Sequence, residues 1–600
     1  VSLAIRLFGT PQIERGGVAA PPPRGRKTWA LLAYLLLCEG TPPRSRVASL
    51  LFSEADDPLG ALRWSLADLR RTLGAGAALA GDPLQLRLAD GTSVDVAVLT
   101  APGDRGAFRY IEGELLEGIT FPSSPGFESW LGVMRRHLDG ANRALARDEA
   151  LARLAAGDTG RATELAAQLV SHDPLDQAGQ ELLIRCLARS GRQQAAEGQL
   201  AECEALFKRE LGVAPGPELK SAAGETDRTA AEAVGDSDVA LGQLDAGRAA
   251  LDAGTVEPGV QILRQACAEA AASGDAGVEA RSLAALGSAL VHAVRGRDEE
   301  GALRLHEALR LAEGCDERAA AAAACRELGY VDVQAGRGAS AGRWLMRATE
   351  LAEGNEELCA VLGVRGMALS DRARYGAALD LLNKSVARAE RCGQRRQAAW
   401  SLSLIGRVHM LRGELSLALP PLDESLALVA AERWTAFQPW PQALRAEASL
   451  LMGRPDQAAA PLDHAFRLAC QLGDPCWEAM GARMMGLLSA DAQNAAEARE
   501  QLADALARAT RVPDVYQWVH AHVLNSCAEL AVRMDAHDAA QIVDRLAALA
   551  ARCGLRELVV RAHVHRDRLG VPGALESARV LAAEIDNPTL EALVSPGVPA

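Results

Sequence analysis

The stretch GRGASAGRWLMRA, residues 336–348, sets the architecture of most of this chain. Its Ala341, Leu345 and Ala348 stand at i, i+4 and i+7, one face of a helix, and so present a small–large–small stripe to a neighbour. The stripe recurs along the sequence. Its first, small position is Gly259, Gly301, Ala341, Ala378, Ala418, Ala458, Ala498 and Ala539, at spacings of 37 to 42 residues. Four residues on stands Leu263, Leu305, Leu345, Leu382, Leu422, Leu462, Leu502 or Val543. Three further on stands Ala266, Ala308, Ala348, Ser385, Ser425, Ala465, Ala505 or Leu546. Gly254, Gly296, Gly336, Gly413 and Gly453 each precede a stripe by five residues and mark its turn. A register kept over some 280 residues predicts about eight helical hairpins across 239–570, an α-solenoid.

Working outward, residues 223–238 carry no apolar face and read as a linker, and 571–600 read as a C-terminal tail. A fragment ending near Ala222 is therefore expected to fold without the solenoid. Residues 3–8 and 11–14 alternate weakly, as short antiparallel strands do. Three helices follow, over about 28–38, 45–51 and 59–73, and a hairpin is expected from 84–89 and 94–99 around Asp90-Gly91.

The 600 residues carry a net charge of −14, but the charge is unevenly placed. Residues 1–100 sum to +2 and the rest to −16, so any contact with nucleic acid belongs near the N-terminus. Twelve scattered cysteines without a CxxC pair are the usage of a reducing cytoplasm. The apolar run Trp29–Cys38 is too short to span a bilayer, so no membrane contact is expected.

Chemistry-bearing patterns fail on inspection. No phosphate-binding G-x-x-x-x-G-K-[ST] loop occurs, and Arg310 stands where a zinc-protease motif begun by His306-Glu307 needs its second histidine. The pairs His520/His522 and His563/His565 are i, i+2, about 200° apart on a helix, and cannot chelate from one face. No enzyme activity, metal or cofactor is expected.

The third helix is different. Leu59, Leu62, Leu66, Leu69 and Leu73 form its apolar stripe, while Gly60, Trp64, Ala67 and Arg71 face the other way, flanked by Arg63 and Arg70 on one side and Asp68 on the other. In a major groove, arginine can fork onto guanine edges or clamp phosphates, and tryptophan can pack on sugar or a thymine methyl. Arg24, Arg26 and Lys27 precede the first helix and Arg44 and Arg46 bracket the start of the second, positions suited to phosphate oxygens. The competing reading is a solvated basic face with Trp64 buried under a neighbouring domain.

Strands, three helices and a hairpin, with Ala61-Leu-Arg-Trp-Ser-Leu-Ala-Asp-Leu-Arg-Arg-Thr-Leu-Gly74 in the third helix, resemble the response-regulator-type winged helix at the head of SARP-family activators. The segment 110–222 resembles the bacterial transcriptional activator domain that follows it in that family. It carries Gly113-Glu-Leu-Leu-Glu-Gly118, Phe127-Glu-Ser-Trp130, His172-Asp-Pro-Leu175 and Arg209-Glu-Leu-Gly-Val-Ala-Pro-Gly-Pro-Glu218. Ala162 and Ala196 within it lie 34 residues apart, the tetratricopeptide period. The wing departs from the family, since Gly81–Arg87 offers only Arg87 as a base and places Asp82 where phosphate would be repelled.

The resemblance implies a mainly α chain: a winged helix over 1–100, an activator domain of tetratricopeptide-like helices over 101–222, the linker, and the repeat array. It further implies binding to double-stranded promoter DNA as a homodimer and recruitment of RNA polymerase. The array would serve sensing or an unidentified protein or small-molecule ligand. Trp400, Trp434, Trp440 and Trp477 are the candidates for a groove there, against the preferred reading that they wedge adjacent hairpins together. The rival class for the whole chain is a protein-interaction scaffold that does not touch DNA.

Overall fold

The computed structural model describes residues 3–38, 40–100, 111–225, 235–252 and 254–595. Most of the expected linker, 226–234, lies outside the described residues. Strand β1 (Leu3–Arg6) pairs antiparallel with β2 (Gln12–Arg15), Ile5 opposite Ile13, and β2 pairs with β3 (Val18–Ala19). Helices α1 (Arg26–Leu37), α2 (Arg44–Phe52) and α3 (Pro58–Leu73) follow within a residue or two of expectation. Next come the hairpin β4 (Ala77–Ala80) and β5 (Gln85–Leu88), strand β6 (Ser93–Val94), α4 (Asp95–Thr100) and α5 (Pro125–Ala155). The sheet order is β3-β2-β1-β6, with β6 parallel to β1.

Two local expectations fail here. The hairpin turns at Gly81–Leu84, not at Asp90-Gly91, because Asp95 ends the extended run. One Asp95 carboxylate oxygen accepts the N–H groups of Leu7 and Phe8, both at 2.8 Å, and the other accepts that of Val96 at 2.7 Å, so 95–100 becomes a helix instead of a strand. The α3 stripe also begins later than its sequence suggests. Leu59 is 46% exposed and none of residues 58–61 is buried, while Leu62, Leu66, Leu69, Thr72 and Leu73 are.

The chain forms two compact units, one made of the described residues before Arg143 together with those from Ala531 onward, the other of Arg143–Leu530. In the first, α5 docks by Phe127 and Trp130 against Phe121 and Tyr34, and Ser124 Oγ donates to the Leu51 carbonyl at 2.7 Å. The C-terminal segment is not a tail there. Its described part holds helices Ala574–Ala582 and Pro588–Val594, and Glu584 between them pairs with Arg46 of α2 at 2.7 Å. Ser129 lies 3.5 Å from the ring of His563. A fragment ending near Ala222 therefore lacks part of the unit it was expected to complete, and should melt at lower temperature than the same residues supplied with 531–595.

In the second unit, seven hairpins can be followed among the described residues, from Ser237–Asp252 to Ala495–Ala509, while Ala539–Cys553, which carries the last stripe, belongs to the first unit. Every residue of the eight stripes is buried. What the large stripe residue meets was not visible in the sequence. Leu263, Leu305, Leu345, Leu382, Leu422 and Leu502 press on Gly247, Gly287, Gly329, Gly366, Gly406 and Gly486 of the preceding helix. A methyl at Gly329 would stand 2.6 Å from Leu345. Sixteen residues separate most of these pairs, and at that spacing Leu462 faces Ala446.

Where no glycine makes the turn, Ala373 and Gln493 adopt left-handed backbone at φ 57° and 61°, five residues before their stripes. That conformation costs an ordinary residue about 1 kcal/mol. Gly406→Ala should overpack its elbow and destabilise by about 1–3 kcal/mol, whereas Gln493→Gly should stabilise by up to about 1 kcal/mol, both read as shifts in Tm.

Candidate nucleic-acid interface

Helix α3 is pinned from behind and at both ends. Asp57 caps it by accepting the Gly60 N–H at 2.8 Å, and Arg15 of β2 donates to the carbonyls of Arg71 and Thr72 at its far end. Asp68 accepts the backbone N–H of Arg24 at 2.8 Å and the hydroxyl of Thr28 at 3.3 Å, and pairs with Arg71. Burial alone would raise the Asp68 carboxyl, but the hydrogen bonds from Arg71, Arg24 and Thr28 outweigh it and hold the group below its ordinary value. Asp68 is thus a strut between α3 and the start of α1. Arg70 is spent similarly, its Nε donating to the Leu79 carbonyl of β4 at 2.9 Å.

What remains outward is Arg63, Trp64, Ala67 and Arg71. Trp64 is 81% exposed, so it is not buried under a neighbouring domain within the described residues. Arg63 lies 3.2 Å from Asp57, with about two thirds of each side chain in solvent. Such a pair is worth little and its arginine is available to a stronger anion. The face therefore offers two arginines about a large flat apolar ring.

The supporting cations divide. Arg24 and Arg26 keep exposed side chains, Arg26 reaching the Thr120 carbonyl at 3.4 Å. Lys27 packs its ammonium 5.1 Å from the centre of the Phe52 ring, and burial lowers its pKa against the opposing pull of Glu54. Arg44 donates to the Gly81 carbonyl at 2.9 Å while its N–H goes to Asp82, so Asp82 ties the wing to α2. Arg46 departs from the phosphate-facing role expected of it. Its guanidinium is held by Glu584 and the Val580 carbonyl, at 2.7 and 2.8 Å, and is not presented for phosphate.

The tryptophans of the array lie against neighbouring residues. Trp440 is 3% exposed, 5.1 Å from Trp477 and 6.3 Å from Trp518 by ring centres, which leaves it no face for a partner. Trp434 is half-buried, stacked on Phe437 at 4.4 Å, and Trp400 is half-buried against Gly363. Sequence reading missed the buried ion pairs that join helices about 36 residues apart, Arg407 with Asp371 and Arg483 with Glu447. The common spacing was the signal. His522 stacks on Trp518, and His563 and His565 are buried, with pKa values lowered to about 4 mainly by that burial.

Residues 105–225 match the model of the bacterial transcriptional activator domain. This chain carries a bacterial transcriptional activator domain. No curated protein matches the sequence. Among solved structures, a Rap protein complexed with Competence and Sporulation Factor is 12% identical, covering 58% of this chain and 89% of that one at a TM-score of 0.39. Aspartyl phosphate phosphatase F from Bacillus subtilis is 13% identical, covering 73% and 96% at 0.36. Mycobacterium tuberculosis EmbR, in complex with a low affinity phosphopeptide, is 20% identical, covering 37% and 64% at 0.30. Likenesses of this grade supply no function.

The motifs of the activator domain serve as joints. Gly113, at φ 90°, lets the chain pass so close to Gly9 that a side chain there would stand 3.0 Å from its backbone. Leu116 N–H then reaches the Leu7 carbonyl at 2.8 Å, and Arg135 of α5 donates to the Leu115 and Leu116 carbonyls. Near the domain's end, Gly216 N–H donates to Gln177 at 3.0 Å, joining the loop after Leu175 to the loop before Glu218. The exposure pattern separates binding from folding. Trp64→Ala should leave the unfolding free energy within about 0.5 kcal/mol of the parent, while Arg46→Ala should cost about 1–2 kcal/mol by removing one of the two arginines on Glu584, both read as shifts in Tm.

Proposed function

We propose that this protein is a sequence-specific DNA-binding transcription regulator that reads double-stranded promoter DNA with the outward face of α3. The observation that carries the reading is the 81% exposure of Trp64 between Arg63 and Arg71, on a helix whose one carboxylate, Asp68, is already engaged. Arg63 and Arg71 would address guanine edges or phosphates, Trp64 and Ala67 a thymine methyl or sugar, and Arg24 and Arg26 the flanking backbone. The activator domain supports activation over repression, with RNA polymerase as the recruited partner and two copies side by side on DNA. The repeat array is the part left to sense a ligand or hold a partner, in the cytoplasm.

Leu59 and Trp64, two exposed apolar residues on one helix, favour the second reading, a docking face for protein in a scaffold. Salt separates the two, because displacement of condensed counterions makes DNA affinity fall steeply with ionic strength and protein docking does not share that slope. In gel-shift titrations, Arg63→Ala or Arg71→Ala should weaken the bound operator by about 1–3 kcal/mol. Arg24→Ala should weaken all sequences alike and reduce the salt slope by about one. Parent-like binding by all three, or a flat salt response, overturns the DNA reading.

A further inference from the structure

In a stack of helical hairpins each unit touches its neighbours. The joint Thr510–Tyr516 of the second unit makes contacts beyond its neighbours. It lies between helices Ala495–Ala509 and Gln517–Arg533 and has seven residues, as does the joint 432–438, where those at 274–275, 352–353 and 473–474 have two. It reaches back to hairpins far behind it. The Asp514 carboxylate accepts the N–H of Asp298 at 3.2 Å, 216 residues away, and that of Gly296. Tyr516 is buried, and its hydroxyl donates to Asp371 at 3.0 Å, 145 residues away, while accepting from Arg407 at 2.8 Å.

The receiving groups do not need the joint in order to be held. Arg407 is bound by Asp371 at 2.6 Å and by Ser370 at 2.9 Å, and its guanidinium lies 4.4 Å over Trp518. Gly296 and Asp298 offer their amides at the start of the helix Asp298–Gly314, beside Arg295, which is paired with Asp474. Two anchors therefore stand ready, an amide pair for a carboxylate and an arginine–aspartate pair for a phenol. The joint fills them with residues two apart in sequence.

It fills them imperfectly. Asp514 brings a second buried carboxylate against Asp298. Burial pushes both groups above the ordinary range, helped by Asp514 at Asp298 and by Glu299 at Asp514, where the hydrogen bonds from Asp298 and Gly296 oppose it. A like-charge pair out of water weakens the seat it occupies. Tyr516, by contrast, is fully matched, so affinity resides in the phenol.

We propose that Val512–Tyr516 is an internal occupant of a peptide-binding site in the array, and that this site takes an external segment with an acidic residue two positions before a tyrosine. Exchange would release the joint from the second, fourth and fifth hairpins and free the contact between Asp514 and Asp298. Phenylalanine in place of the tyrosine would leave Arg407 and Asp371 facing an apolar edge, so the site discriminates between them.

The test uses the full chain and a fluorescein-labelled peptide of sequence RVPDVYQ, residues 511–517, with RVPDVFQ as its control. Tyr516→Ala empties the phenol slot and leaves Arg407, Asp371 and Gly296 in place. By fluorescence anisotropy, the tyrosine peptide should bind this variant at least tenfold more tightly than it binds the parent. It should also bind the variant at least tenfold more tightly than the phenylalanine peptide does. Equal titrations of parent and variant, or of the two peptides, overturn the proposal. Should Tyr516→Ala fail to melt cooperatively, amide hydrogen exchange on the parent decides. Millimolar tyrosine peptide should speed exchange across 511–517, and unchanged exchange would mean the joint is a fixed strut.

Discussion

A leucine seated where the facing helix has no side chain is the contact on which the array depends. At Leu345 against Gly329 and Leu305 against Gly287, the missing Cβ lets two helices of one hairpin approach until the leucine fills the space. Glycine inside a helix costs roughly 1 kcal/mol relative to alanine, so its repetition at Gly247, Gly287, Gly329, Gly366, Gly406 and Gly486 is offset by what the close approach returns. That return is dispersion and burial of the leucine, about 2 kcal/mol or more at each elbow. The hairpin angle, and with it the register between successive hairpins, follows from the elbow.

The head of the chain solves a different problem, holding a helix firmly while leaving one side of it bare. Arg15, Thr28, Asp68 and Arg70 all spend their polar groups on the rear or the ends of α3. Their effect is to fix where Arg63, Trp64 and Arg71 stand without covering them. An exposed tryptophan contributes nothing to folding, so its presence on a pinned helix is a statement about what the helix meets outside the molecule.

How much of this could be read beforehand follows from the range of each interaction. The stripes were legible because i, i+4, i+7 periodicity is local and repeats eight times, and all of their residues are buried. Helices α1 to α3 were legible through Pro, Asp and apolar spacing. The hairpin was misplaced because Asp90-Gly91 is a strong local turn signal, while the deciding group, Asp95, acts on amides at Leu7 and Phe8 nearly ninety residues earlier. Arg46 looked like a phosphate clamp because Glu584, 538 residues on, is invisible to any window of sequence. Within the candidate site, the outward face of α3 could be read from helix geometry, but which of its arginines were already engaged could not.

The arrangement of the first unit carries a consequence for synthesis. Its two parts are separated by residues 143–530, so the N-terminal part emerges from the ribosome long before the helices that embrace Arg46. At usual elongation rates that interval is roughly 20–80 s. Throughout it, α2 and the first half of α5 wait with part of their surface uncovered, the condition in which chaperones bind and proteases cut. A message broken within the array would yield a head that never closes, marked for removal before it could compete with intact copies.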